Sequence, residues 1–125
     1  MKKKRNDTAS RYRGVSVLTG KLVYGDLCGF YGEDQYILHD MDGMEGVKTF
    51  DSVDNKTLGK RTGLKDCHGR DIYDGDIIKD SRGVTYHVCY SDECAAHMAV
   101  SRDHECLLCS LVTAYRIEIT GNLYE

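Results

Sequence analysis

Apolar and polar positions alternate with a period of two in several short runs, and glycine, aspartate and asparagine separate the runs. Val84, Tyr86, Val88 and Tyr90 fall on one side of such a run, and Thr85, His87 and Cys89 on the other. This is the pattern of a strand with one buried face, and the first set makes the better core face. Residues 77–80 and the turn Ser81-Arg82-Gly83 complete a predicted hairpin. Residues 95–101 form a further strand. In the last strand Tyr115, Ile117 and Ile119 alternate with Arg116, Glu118 and Thr120. Near the N-terminus, residues 12–18 and 21–28 read as a hairpin about Thr19-Gly20. Short strands are expected at 36–38 and 47–50. No long helical period occurs, although residues 106–113 have room for two helical turns. Many short strands at close spacing indicate a mostly β fold, a small barrel or sandwich.

The densest punctuation lies between 60 and 80, where Gly63, Gly69 and Gly75 stand six residues apart. The chain contains no proline, so its turns rely on Gly, Asn and Asp. Asp66-Cys67-His68-Gly69 reads as a type I turn whose glycine takes a left-handed conformation. Asp74-Gly75-Asp76 reads as a second tight turn. Gly63, Asp66, Gly69, Gly75 and Asp76 are thus a candidate structural motif.

The run from Gly59 to Ile78, with Thr62-Gly63-Leu64-Lys65-Asp66-Cys67-His68-Gly69 followed by Ile72-Tyr73-Asp74-Gly75-Asp76-Ile77, resembles the signature of the YopX family. Tyr12-Arg13-Gly14 through Val23-Tyr24-Gly25-Asp26-Leu27 is similar to that family's N-terminal hairpin. Gly121-Asn122-Leu123-Tyr124-Glu125 is similar to its closing segment. A tryptophan common near Leu22 is missing, and residues 89–113 match no pattern of the family. The resemblance implies an origin in phage or prophage. It implies an SH3-like barrel over 59–125, with a β portion over 10–58 packed on it. It implies no activity.

Charge narrows the classes of function. The chain is −3 overall, and Lys2, Lys3, Lys4 and Arg5 carry +4, so the remainder is −7. Residues 1–9 are expected to be a disordered basic tail on an acidic body. A nucleic-acid binder normally shows its basic patch on the body itself, so nucleic-acid binding through the tail is the less favoured reading. No apolar run follows the basic residues, as a secretory signal requires, and no stretch is long enough to span a membrane. A cytoplasmic protein with reduced thiols is the expectation.

Three constellations bear on chemistry. Asp66, Asp71, Asp74 and Asp76 do not follow a calcium-loop spacing, and aspartate belongs in turns for its bonds to nearby backbone. Cys94, His97, Cys106 and Cys109 give C-x-x-H followed by C-x-x-C, a donor set suited to tetrahedral zinc. The two leucines inside the second pair speak instead for core packing with small, buried cysteines, and no metal or other cofactor is expected. Cys67-His68 and His87 with Cys89 supply the residue types of a nucleophile and base, without a supporting motif. No glycine loop suited to phosphate occurs. These readings favour a non-enzymatic interaction module that binds a host or phage protein and self-associates as a homo-oligomer. The nine tyrosines suit such interfaces.

Overall fold

A computed structural model describes residues 10–29, 35–41 and 43–124. The predicted tail over 1–9 lies outside the described residues. The chain divides into two compact units, Met1–Lys60 and Arg61–Glu125.

In the first unit β1 (Tyr12–Val15), β2 (Leu22–Gly29), β3 (Gln35–Met41) and β4 (Met44–Val53) form an antiparallel ladder in the order β4-β3-β2-β1. The hairpin about Thr19-Gly20 forms, with Tyr12 opposite Gly25 and Val15 opposite Leu22. Val53 closes back on β1 through a bridge to Ser16. A 3-10 turn at Asn55–Thr57 follows, capped by Asp54, whose side chain accepts from the Lys56 N–H. The Thr57 hydroxyl oxygen then accepts from the Val15 N–H at 2.8 Å. β5 (Gly59–Lys65) begins here, with Gly59 and Lys60 opposite Arg13 and Tyr12. The buried apolar side chains of this unit, among the described residues, are Ile37 and Val53.

The second unit holds the rest of β5, β6 (Asp71–Tyr73), β7 (Asp76–Asp80), β8 (Thr85–Ser91), β9 (Ala96–Val100), β10 (Glu105–Leu107), helix α1 (Leu108–Ala114) and β11 (Ile117–Asn122). Five of these strands form an antiparallel sheet in the order β10-β9-β8-β7-β11. One face is the core. Ile78, Tyr86, Val88, Ala99 and Ile117 meet Ile72 and the helix residues Leu108 and Leu111. The two leucines stand three apart, on one side of the helix.

Four expectations need correction. Among the described residues β10 and β11 remain the two edges of an open sheet, so the strands do not close into a barrel. Residues 60–65, part of the run read as punctuation, belong to strand β5. Gly63, at φ +85°, is accommodated there by a register shift between Arg61 and Lys65, the behaviour of a bulge. Tyr90 is 47% exposed, because β8 runs past the core before it ends, and its ring meets His97 edge to face at 5.1 Å. Tyr115 is the C-cap of α1 rather than a strand residue, which turns its ring toward Arg82. Among the described residues no helix is long and apolar enough to cross a membrane.

Candidate functional site

The glycine and aspartate turns are clamps. Gly69 and Gly75 take φ of +79° and +94°. At the first turn the Gly69 N–H donates to the Asp66 carbonyl. The Asp66 Oδ1 accepts from the backbone N–H of His68 and Arg70, both at 2.9 Å. Its Oδ2 accepts from the Arg70 guanidinium and from the Ile119 N–H at 3.1 Å. The side chain is fully buried. Burial alone would raise its pKa, but these donors outweigh burial and hold it below the usual carboxylate range. At the second turn the Tyr73 N–H donates to Asp76 Oδ2 at 2.8 Å. The Gly75 N–H reaches the Val88 carbonyl, and the Leu123 N–H reaches the Gly75 carbonyl. The motif residues thus tie the turns to β8, β11 and the chain end.

The aspartates of this region are parcelled out to different partners. Asp66 binds Arg70, Asp71 lies 3.4 Å from Lys65, and Asp74 lies 2.7 Å from His97 Nδ1. The Cys/His set is likewise dispersed. Cys94 and Cys109 are exposed, His97 faces Asp74 and Tyr90, and Cys106 stands opposite Ala99 on β10. Burial pushes the Cys106 thiol up, and burial with nearby Asp74 and Glu105 does the same to Cys89. Neither is poised as a thiolate. Among the described residues no three His, Cys, Asp or Glu side chains gather as a metal site.

One arrangement has the composition of a hydrolytic triad. His39 Nε2 lies 2.5 Å from Asp51 Oδ2, and the Ser16 hydroxyl donates to Asp51 Oδ1 at 3.5 Å. The order is wrong for catalysis, since the carboxylate separates the serine from the histidine that would have to act as its base. Ser16 is also buried.

Two features were not anticipated from the sequence. The first is a network at the β7–β8 turn. Asp80 accepts from the backbone N–H of Arg82 and Val84, twice from the Arg82 guanidinium, and from the Tyr86 hydroxyl at 2.9 Å. Burial alone would raise Asp80, but these bonds carry it down to about 2. The Arg82 guanidinium lies 4.0 Å over the Tyr115 ring, a cation–π contact. Asp80-Ser81-Arg82-Gly83 carried a legible signal, an aspartate opening a turn, read only as a turn. Beside this network an open groove of about 510 Å³ is lined by Lys79, Arg82, Arg116, His68 and Glu118, among others.

The second is the outer edge of β4. This ten-residue strand pairs on one side with β3; on its other side the end at Ser52 and Val53 is met by Ser16 and Val17, and no strand pairs with residues 44–51 there among the described residues. Met44, Val47 and Phe50 on it are 50%, 41% and 50% exposed. Phe50 stands directly opposite Leu38.

These features describe a mostly β protein of two antiparallel sheets, with glycine–aspartate clamps and an exposed strand edge. The YopX protein family matches residues 11–125, and the chain belongs to that family. No curated protein matches it.

Proposed function

We propose that this chain is a non-enzymatic protein-interaction module, acting in a bacterial host, and that the outer edge of β4 is its docking surface. The observation that carries the reading is that edge. A row of backbone donors and acceptors beside three exposed apolar side chains is the template on which an extended segment of another chain adds as a strand. Backbone bonds supply affinity, and alternate side chains supply selection. A second copy of the chain is one such partner, which makes the module a homo-oligomer. A host or phage protein presenting an extended segment is another. The dispersed donors and the serine–carboxylate–histidine order support a role in binding rather than catalysis.

The test is the mass in solution, by light scattering across a concentration series, for the wild-type chain and for Val47→Lys. Val47 is exposed, so the substitution is expected to leave the melting temperature within about a degree or two, as for surface changes generally. The wild type is expected to give a concentration-dependent mass above the monomer, and the variant a monomer. A wild-type monomer at high micromolar concentration that also captures no extended peptide would overturn the reading.

A further inference from the structure

We propose that the groove beside the β7–β8 turn binds a small, multiply charged oxyanion of the phosphate class. Three cations line it. Lys79 lies on β7, Arg116 immediately precedes β11, and Arg82 lies in the turn. The side chains of Lys79 and Arg116 are exposed and make no hydrogen bond or ion pair among the described residues. The Ser81 hydroxyl lines the same groove and is likewise without a partner there. Arg82 is held differently. Its guanidinium is fixed by Asp80 on one side and by the Tyr115 ring on a face, yet the side chain remains half exposed. A guanidinium pinned in this way loses little further freedom when it bonds an anion.

The carboxylates of the groove offset part of this charge without cancelling it, since Asp80 pairs with Arg82 and Glu118 stands opposite Lys79 across β11 and β7. The Asp80 side chain is fully buried and already accepts five bonds. Glu118 is bonded to His68 Nε2 at 3.1 Å. Three cations against two carboxylates leave the lining one positive charge in excess, with Lys79, Arg82, Arg116 and the Ser81 hydroxyl on its exposed side. That set suits a group whose charge is spread over several oxygens. Size follows from the rest of the molecule. Outside residues 2–5 the chain carries −7, so a long polyanion running out of the groove meets repulsion. A short anion does not.

The test titrates the full chain with inorganic pyrophosphate at low salt, following the amide resonances of residues 79–83 and the heat of binding. Saturable binding centred on those amides is expected. Lys79→Gln with Arg116→Gln is expected to weaken it at least about tenfold, the loss of one charge-assisted bond, with the ligand-free melting curve unchanged. Lys79→Arg in the Arg116→Gln background should recover part of the loss. No saturation by about 10 mM, weaker than ordinary millimolar affinity, overturns the proposal. So does equal binding by the double variant. Tighter binding of a single-stranded oligonucleotide that survives both substitutions would place the anion site elsewhere and overturn it too.

Discussion

Asp80 and Asp66 solve one problem in the same way. Each is a fully buried carboxylate at the start of a turn, and each accepts backbone N–H bonds on Oδ1 and an arginine on Oδ2. A buried charge is tolerated only when its lone pairs are satisfied. Asp80→Ala leaves the Tyr86 hydroxyl and two backbone N–H groups without their acceptor, and is expected to cost about 2–4 kcal/mol by urea denaturation. The acid limb gives a second readout. The folded-state pKa of Asp80 lies at about 2, below its unfolded value near 4. Between these values the unfolded chain binds more protons, so stability rises with pH there. Asp80 therefore stabilises the fold fully above pH ~4 and loses that contribution as pH falls toward ~2. Asp80→Asn should flatten this limb, and an unchanged slope would show that the carboxylate is not charged in the fold. The two clamp glycines differ from each other. A Cβ on Gly69 meets nothing within 4 Å, whereas one on Gly75 comes 2.8 Å from the Tyr124 ring. Gly75→Val is expected to cost roughly 1–3 kcal/mol, and Gly69→Ala only the lower end of that range. Equal losses in thermal melts would remove Tyr124 from the account.

Among the elements, legibility followed the number of faces a strand buries. β8 alternates because one face packs on the core and the other does not, and Tyr86 and Val88 are where period two put them. β5 was hidden because Gly63 resembles a turn residue, and nothing local distinguishes a bulge in a strand from a break between strands. The Asp66 and Asp76 clamps were visible as turn residues, but their bonds to Ile119 and Tyr73 depend on which strands come together. The β4 edge was invisible for the same reason: a strand's free side is a property of sheet order. That order predicts amide exchange. β8 and β7 are flanked on both sides, while β10 is a three-residue edge. Native-state hydrogen exchange should be slowest in β7 and β8 and fast in β10 and along β4. Amides of β10 as protected as those of β8 would contradict the sheet order. Protection spread along β4 at high concentration alone would mark the edge as paired between copies.

At the scale of the whole molecule the two units carry very different cores. Among the described residues, eight buried side chains of the second unit form one cluster, from Ile72 and Ile78 through Tyr86, Val88, Ala99, Leu108 and Leu111 to Ile117. Leu64, Val84, Cys106, Val112, Tyr115 and Ile119 pack against it. Every member lies within Arg61–Glu125, so none of these contacts depends on residues before it. In the first unit Ile37 and Val53 are the buried apolar side chains among the described residues, and much of its apolar surface faces outward. A domain of about 60 residues is near the lower limit of independent stability, and the apolar area it buries decides the outcome. A fragment of residues 59–125, keeping all of β5, is therefore expected to fold alone. Its circular dichroism should show β structure with one cooperative thermal transition. A fragment of residues 10–60 should show no cooperative transition, since the two apolar side chains buried among its described residues cannot offset the entropy of ordering four strands. The Asp80 network lies wholly within the first of these fragments, so Asp80→Ala should lower that fragment's midpoint as it lowers the full chain's. If residues 59–125 gave a coil spectrum instead, the cluster would be insufficient alone. Its folding would then require residues 1–58.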